Sequence, residues 1–182
     1  MILLPRTLRL DASDTLIFAR AAEPGEWAVP GSFCFWDDDP AALAGKRRQA
    51  FRAGFLGVFS FGWSTLVEIA EASDADHDQA IASLAQLLRA HHGAPDDSAA
   101  LAAARDEIAF ARTLCDHPPG TVLAMTRRHD ADGAIREQFR SLHRREGKPD
   151  ITRLPVFGIV AVEGEEEIVE HPDLTTMTRR AP

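Results

Sequence analysis

The chain has 182 residues, 45% of them hydrophobic and 26% charged, and a formal net charge of −8. That length and balance fit one globular domain with a sizeable core, and two cysteines, Cys34 and Cys115, are too few for a disulfide framework. The acidity argues against binding nucleic acid through its phosphates, and no apolar run of about 18 residues is present to span a membrane.

The opening "MILLPRTLRL" lacks the pattern of a secretory signal, so a cytoplasmic location is expected. The chain contains no Tyr and no Asn, and two Lys stand against eighteen Arg. A Tyr acid, a Cys-His-Asn triad and an N-x-[ST] glycosylation site are therefore all excluded. Charge is segregated along the chain. Residues 64–120 carry three basic against ten acidic side chains, and residues 121–160 reverse this at eight against five.

In chain order, "RTLRLDASDTLIFARA" alternates on both sides of Asp11–Asp14 and predicts a β-hairpin with a polar turn. "SFCFW" predicts a short strand with Ser32, Cys34 and Trp36 on one face and Phe33 and Phe35 on the other. "DDDPAALAGKRRQAFRAG" predicts a helix capped by Asp39, with Pro40 in its first turn and Gly54 closing it.

The alternation from Phe59 to Ile69 predicts one strand. Its apolar face carries Phe59, Phe61, Trp63, Val67 and Ile69, and its other face is small at Ser60, Gly62 and Ser64. A helix laid across the sheet, or a flat ligand, would fit against those small residues.

A helix follows from about 75 to Gly93, capped by Ser73 or Asp74, with Ile81, Leu84, Leu87 and Leu88 inward. A second runs from Ser98 to about Cys115, where "DHPPG" stops it. A hairpin is expected around Asp130–Gly133, with residues 134–143 readable as strand or helix, and "RLPVFGIVAVEG" predicts a final strand. The sum is an α+β domain over 1–162, followed by a polar, mobile tail over 163–182. Its architecture is a mainly antiparallel sheet of about six or seven strands with about three helices on one face.

Few constellations carry chemistry. Cys115, Asp116 and His117 bring a thiol next to an imidazole, the start of nucleophilic catalysis. Adjacent residues at a helix end rarely face each other, however, and Cys115 follows the apolar stripe, where cysteine behaves as a small hydrophobe. Cys34, Cys115 and His117 with His91 or His92 lack the short paired spacing of a zinc site, so no metal is expected. The triple aspartate Asp37–Asp39 is explained by helix capping.

No cofactor motif is present: "GFLGVFSFG" is neither a Walker loop nor a GxGxxG turn. Trp36 and Trp63 can line an aromatic cage or simply fill the core. Arg127, Arg128, Arg136 and Arg140 form the one basic segment, a solvated face or a seat for an acidic partner.

The segments "RAAEPGEWAVPG", "GFLGVFSFGWSTLVE", "CDHPPGT" and "DGAIREQFR" resemble those of an uncharacterised bacterial family carrying a domain-of-unknown-function label. The resemblance spans roughly residues 5 to 145. It implies a bacterial, single-domain, cytosolic protein and brings no activity, cofactor or catalytic residue with it.

The function expected from the residues is that of a non-catalytic accessory protein acting through a protein partner or a second copy of itself. Two alternatives belong to other classes. One is a thiol-dependent enzyme using Cys115 or Cys34 with His117, and the other is a binder of a flat cofactor near Trp63 and the Ser60–Gly62–Ser64 face.

Overall fold

The computed structural model describes residues 1–144 and 160–162. Its longest pairing is a hairpin whose turn chemistry is readable in "DADG". Gly133 takes φ 80°, a conformation open to glycine, and the Asp130 carboxylate accepts from the Asp132 and Ala134 N–H groups. The hairpin arms are β6 (Val122–His129) and β7 (Ile135–Arg144), so the ambiguous stretch 134–143 is strand from Ile135 onward.

This hairpin lies in a five-stranded antiparallel sheet ordered β1-β5-β6-β7-β8, with β1 at Ile2–Leu8, β5 at Leu66–Ala72 and β8 at Val160–Val162. A smaller sheet joins β2 (Ala28–Val29), β3 (Phe55–Gly57) and β4 (Trp63–Ser64). Around them stand α1 (Ser13–Ile17), α2 (Gly45–Ala53), α3 (Asp74–His91) and α4 (Asp97–Thr113). The α+β class and the dominance of antiparallel pairing agree with the sequence reading. The expected tail, 163–182, lies outside the described residues, as does all of "RLPVFGIVAVEG" apart from β8.

Helix ends follow their caps. Ser73 and Asp76 form a reciprocal capping box at the start of α3. The cap of α4 is Asp96 rather than Ser98, its carboxylate accepting from the Ala99 N–H at 2.8 Å. Leu84 of α3 and Ala104 and Ile108 of α4 are buried in one apolar cluster with Phe35, Phe51 and Trp63. A second cluster collects Val67, Ile69, Leu123 and Met125 around Phe55 and Cys115.

Four local expectations are corrected, each by a side chain or glycine that outweighs simple periodicity. Residues 11–14 are not a hairpin turn. The chain enters α1, and Asp14 is buried there, accepting from the Thr65 hydroxyl at 2.6 Å and the Thr65 N–H at 3.2 Å. The partner of β1 is instead β5, with Leu4 opposite Ala70.

"SFCFW" is not a strand but a turn of 3-10 helix, Ser32–Phe35, entered through Gly31 at φ 75°. The helix expected from Asp39 starts at Gly45, because Asp39 spends its carboxylate on the Ala41 N–H two residues ahead, a local turn rather than a cap. Gly54 does close it.

The single strand expected from Phe59 to Ile69 is broken into β4 and β5. The two part at Thr65, which is held by the Asp14 carboxylate. The residues ahead of β4 are bent by Glu26, a buried carboxylate that accepts from the Phe59 and Ser60 N–H groups at 2.8 Å each and from the Ser60 hydroxyl. Those bonds fold 58–62 into a tight turn with Phe61 at φ 56°.

Candidate functional site

The 3-10 turn 32–35 is held by two arginines and a carboxylate from three different elements. Arg127, on β6, lies on the inward row with Leu123 and Met125, and its side chain is 0% exposed. It donates to the Phe51 carbonyl at 2.8 Å, the Pro30 carbonyl at 2.6 Å and the Glu137 carboxylate at 2.8 Å. A guanidinium can serve three directions at once because its donors are spread in a planar fork.

Arg47, on α2, donates to the Cys34 carbonyl at 2.5 Å and to both carboxylate oxygens of Asp38, and its guanidinium carbon lies 4.4 Å from the Phe35 ring centre. Glu107, on α4, accepts from the Gly31 N–H at 3.2 Å. Gly31 is required there, since a Cβ would press to 2.7 Å from Leu56 and 3.3 Å from the Trp63 ring.

The turn therefore divides its aromatics. Phe35 is buried between Phe51 and Trp63, with ring centres 5.3 and 5.1 Å away. Phe33 is buried too. Trp36, one residue past the turn, points outward and is 73% exposed.

Two clefts share Trp36 as a wall. One, about 480 Å³, is lined also by Phe35, Asp38, His129 and Glu137. The other, about 340 Å³, is lined also by Phe33, Asp37, His92, Pro95 and Glu107. In the second, Phe33 meets His92 edge to face at 5.0 Å and Trp36 at 6.5 Å. Burial pushes the Glu107 carboxyl above its ordinary range, while burial and the neighbouring His91 and Arg47 charges push His92 below its own.

The thiols occupy different surroundings. Cys115 lies in the second apolar cluster, with its sulfur 3.7 Å from the Ala111 carbonyl, and burial pushes its pKa up to about 12. His117 is turned to Asp116 at 3.4 Å. Cys34 packs against the first cluster, 3.9 Å from the His92 ring nitrogen, and burial outweighs Arg47 and Arg127 to push it also to about 12. Both are free thiols.

The small-residue face has its own covering. A Cβ at Gly62 would collide with the Ala21 carbonyl, and the Trp63 N–H donates to the Arg20 carbonyl at 2.9 Å. Chain 20–22 fills that space, not a helix. Ser60 is bound to Glu26, Ser64 donates to the Leu66 carbonyl at 2.7 Å, and Trp63 is buried.

Of the basic segment, Arg127 is interior and Arg136 bonds Asp130 of its own hairpin at 2.8 Å. Arg140 is half-buried, and Arg128 is exposed. Among the described residues no group of three or more His, Cys, Asp or Glu is placed to hold a metal ion, and no helix is long and apolar enough to cross a membrane.

Sequence reasoning singled out Trp36, weighed His92 only as a metal ligand, and missed Glu107 and Glu137. Arg127 carried a signal of its interior position, because Leu123, Met125 and Arg127 alternate in "LAMTR" on one face of a strand.

Together the two antiparallel sheets, the paired long helices and the Trp36 turn define a mixed α/β domain with an aromatic surface site. The chain belongs to a family of unknown function, DUF6505, whose model matches residues 1–161. No curated protein and no solved structure matches it.

Proposed function

We propose that the protein is a non-catalytic binding protein whose Trp36 surface holds a protein partner. The observation that carries this reading is the 73% exposure of Trp36 on a turn fixed from beneath by Arg127, Arg47 and Glu107. A rigid, exposed indole flanked by concave surface is the usual anchor of a protein interface, because it buries much area at little entropy cost.

The acidic neighbours Asp37, Asp38 and Asp39 argue for a partner other than a second copy on this same face. A two-fold contact centred on Trp36 would bring those three carboxylates against their own copies.

Thiol catalysis gains little support, because burial outweighs the His92, Arg47 and Arg127 neighbours of Cys34 and both thiols sit far above the range in which thiolates form at neutral pH. A flat ligand against Ser60, Gly62 and Ser64 gains none, because chain 20–22 occupies that face.

The test is to tag the chromosomal copy in its native host and purify it under mild conditions. A partner recovered in stoichiometric yield with wild type and with Leu16→Ala, but lost with Trp36→Ala, supports the reading. Equal recovery with Trp36→Ala contradicts it.

A further inference from the structure

The smaller Trp36 cleft has a chemistry narrower than that of a general interface. Its walls are aromatic (Phe33, Trp36 and His92), its acidic groups are Asp37 and Glu107, and no Lys or Arg lines it. The nearby cations are already matched, Arg47 to Asp38 and Arg127 to Glu137. His92 adds no charge of its own at neutral pH, because burial and its cationic neighbours hold it in the neutral form.

The Glu107 carboxyl is fixed through one oxygen by the Gly31 N–H, and its second oxygen has no hydrogen-bond partner among the described residues. At about 340 Å³ the cleft is near the lower limit for a ligand pocket, the size of one long side chain and not of a large cofactor.

Resting on the reading of the Trp36 face as a partner surface, we propose that this cleft receives a cationic side chain, arginine above lysine, from a basic segment of the partner. The flat guanidinium lies on the indole of Trp36, where the ring quadrupole attracts it, and directs an N–H to the open oxygen of Glu107. An ammonium makes the same charge contact but cannot stack. The net charge of −8 draws such a segment in from solution.

The test titrates the ¹⁵N-labelled full chain with capped tripeptides carrying a central arginine, lysine or neutral citrulline, and with n-butylammonium. The arginine peptide is expected to move the Trp36 indole N–H and the Gly31 amide saturably, and to bind about fivefold more tightly than the lysine peptide. The citrulline peptide is expected to leave both signals in place. Glu107→Gln, which keeps an acceptor for Gly31, is expected to weaken the arginine peptide about fivefold or more while preserving the rest of the spectrum.

Equal binding of citrulline and arginine, or an unchanged affinity in Glu107→Gln, would overturn the cation assignment and leave the Trp36 surface standing. A response to n-butylammonium without any to the peptides overturns it in favour of a free amine. If no peptide moves Trp36 at all, the cation assignment falls, while recovery of the partner with Trp36→Ala still decides the partner surface.

Discussion

Arg127 and Glu137 face each other across the β6–β7 hairpin, directly opposed in register and joined at 2.8 Å with the arginine wholly buried. The pair links the hairpin to the turn beneath Trp36, because the same guanidinium also reaches the Pro30 and Phe51 carbonyls. Removing one member strands the other. Arg127→Met is expected to cost about 3–5 kcal/mol, since it leaves Glu137 and two carbonyls without their donor. Adding Glu137→Gln should return part of that loss. Urea denaturation of both variants measures it, and a cost below about 1 kcal/mol for the single variant would contradict the role given to the pair.

The face formed by Ser60, Gly62 and Ser64 belongs to the protein's own chain. Gly62→Ala is therefore expected to destabilise the fold by about 2–3 kcal/mol, since a methyl there must displace the Ala21 backbone. A stable Gly62→Ala protein would show that the space is open to something else. Thermal unfolding reads the outcome.

Both thiols are expected to be inert in the folded protein. With pKa values pushed to about 12, Cys34 and Cys115 should react with iodoacetamide at neutral pH on the order of a thousandfold more slowly than a free cysteine. In denaturant both should react at the ordinary rate. A single fast thiol in the native protein would restore the enzyme reading.

Glu107 gives the stability a pH signature. Burial raises its folded pKa above the unfolded value, despite the Gly31 N–H and Arg127, with Glu137 raising it further and Asp37 and His92 across the cleft. The folded state therefore holds a proton that the unfolded state releases, and this group's contribution is lost as pH rises from the ordinary carboxylate range through the raised pKa. Glu107→Gln should accordingly unfold at a higher temperature than wild type at neutral pH. The gap should close below about pH 4, where both states are protonated. A gap that widens on acidification would contradict the assignment.

How much of this was legible follows from the kind of signal each element carries. α3, α4 and the Asp130–Gly133 hairpin were readable because their stripes, caps and turn residues are local. The stretch 59–69 was not, because the carboxylate that bends it, Glu26, lies more than thirty residues upstream. "SFCFW" alternates like a strand, yet Gly31 and the guanidinium of Arg127 curl it into a 3-10 turn. Trp36 could be named from sequence as an aromatic of interest. Its exposure could not, since that depends on Phe35 winning the buried place between Phe51 and Trp63. Glu107 and His92 join the site only through tertiary packing of α4 and the end of α3.

The most direct measurement is site-specific photocrosslinking in the native host. A benzophenone amino acid placed at Asp37, beside Trp36, is expected to give one discrete adduct, and Trp36→Ala should abolish it. The same probe at Leu16, exposed but lining neither cleft, should give none. No adduct from position 37, or one that survives Trp36→Ala unchanged, would contradict the claim that the Trp36 surface is where this protein binds its partner.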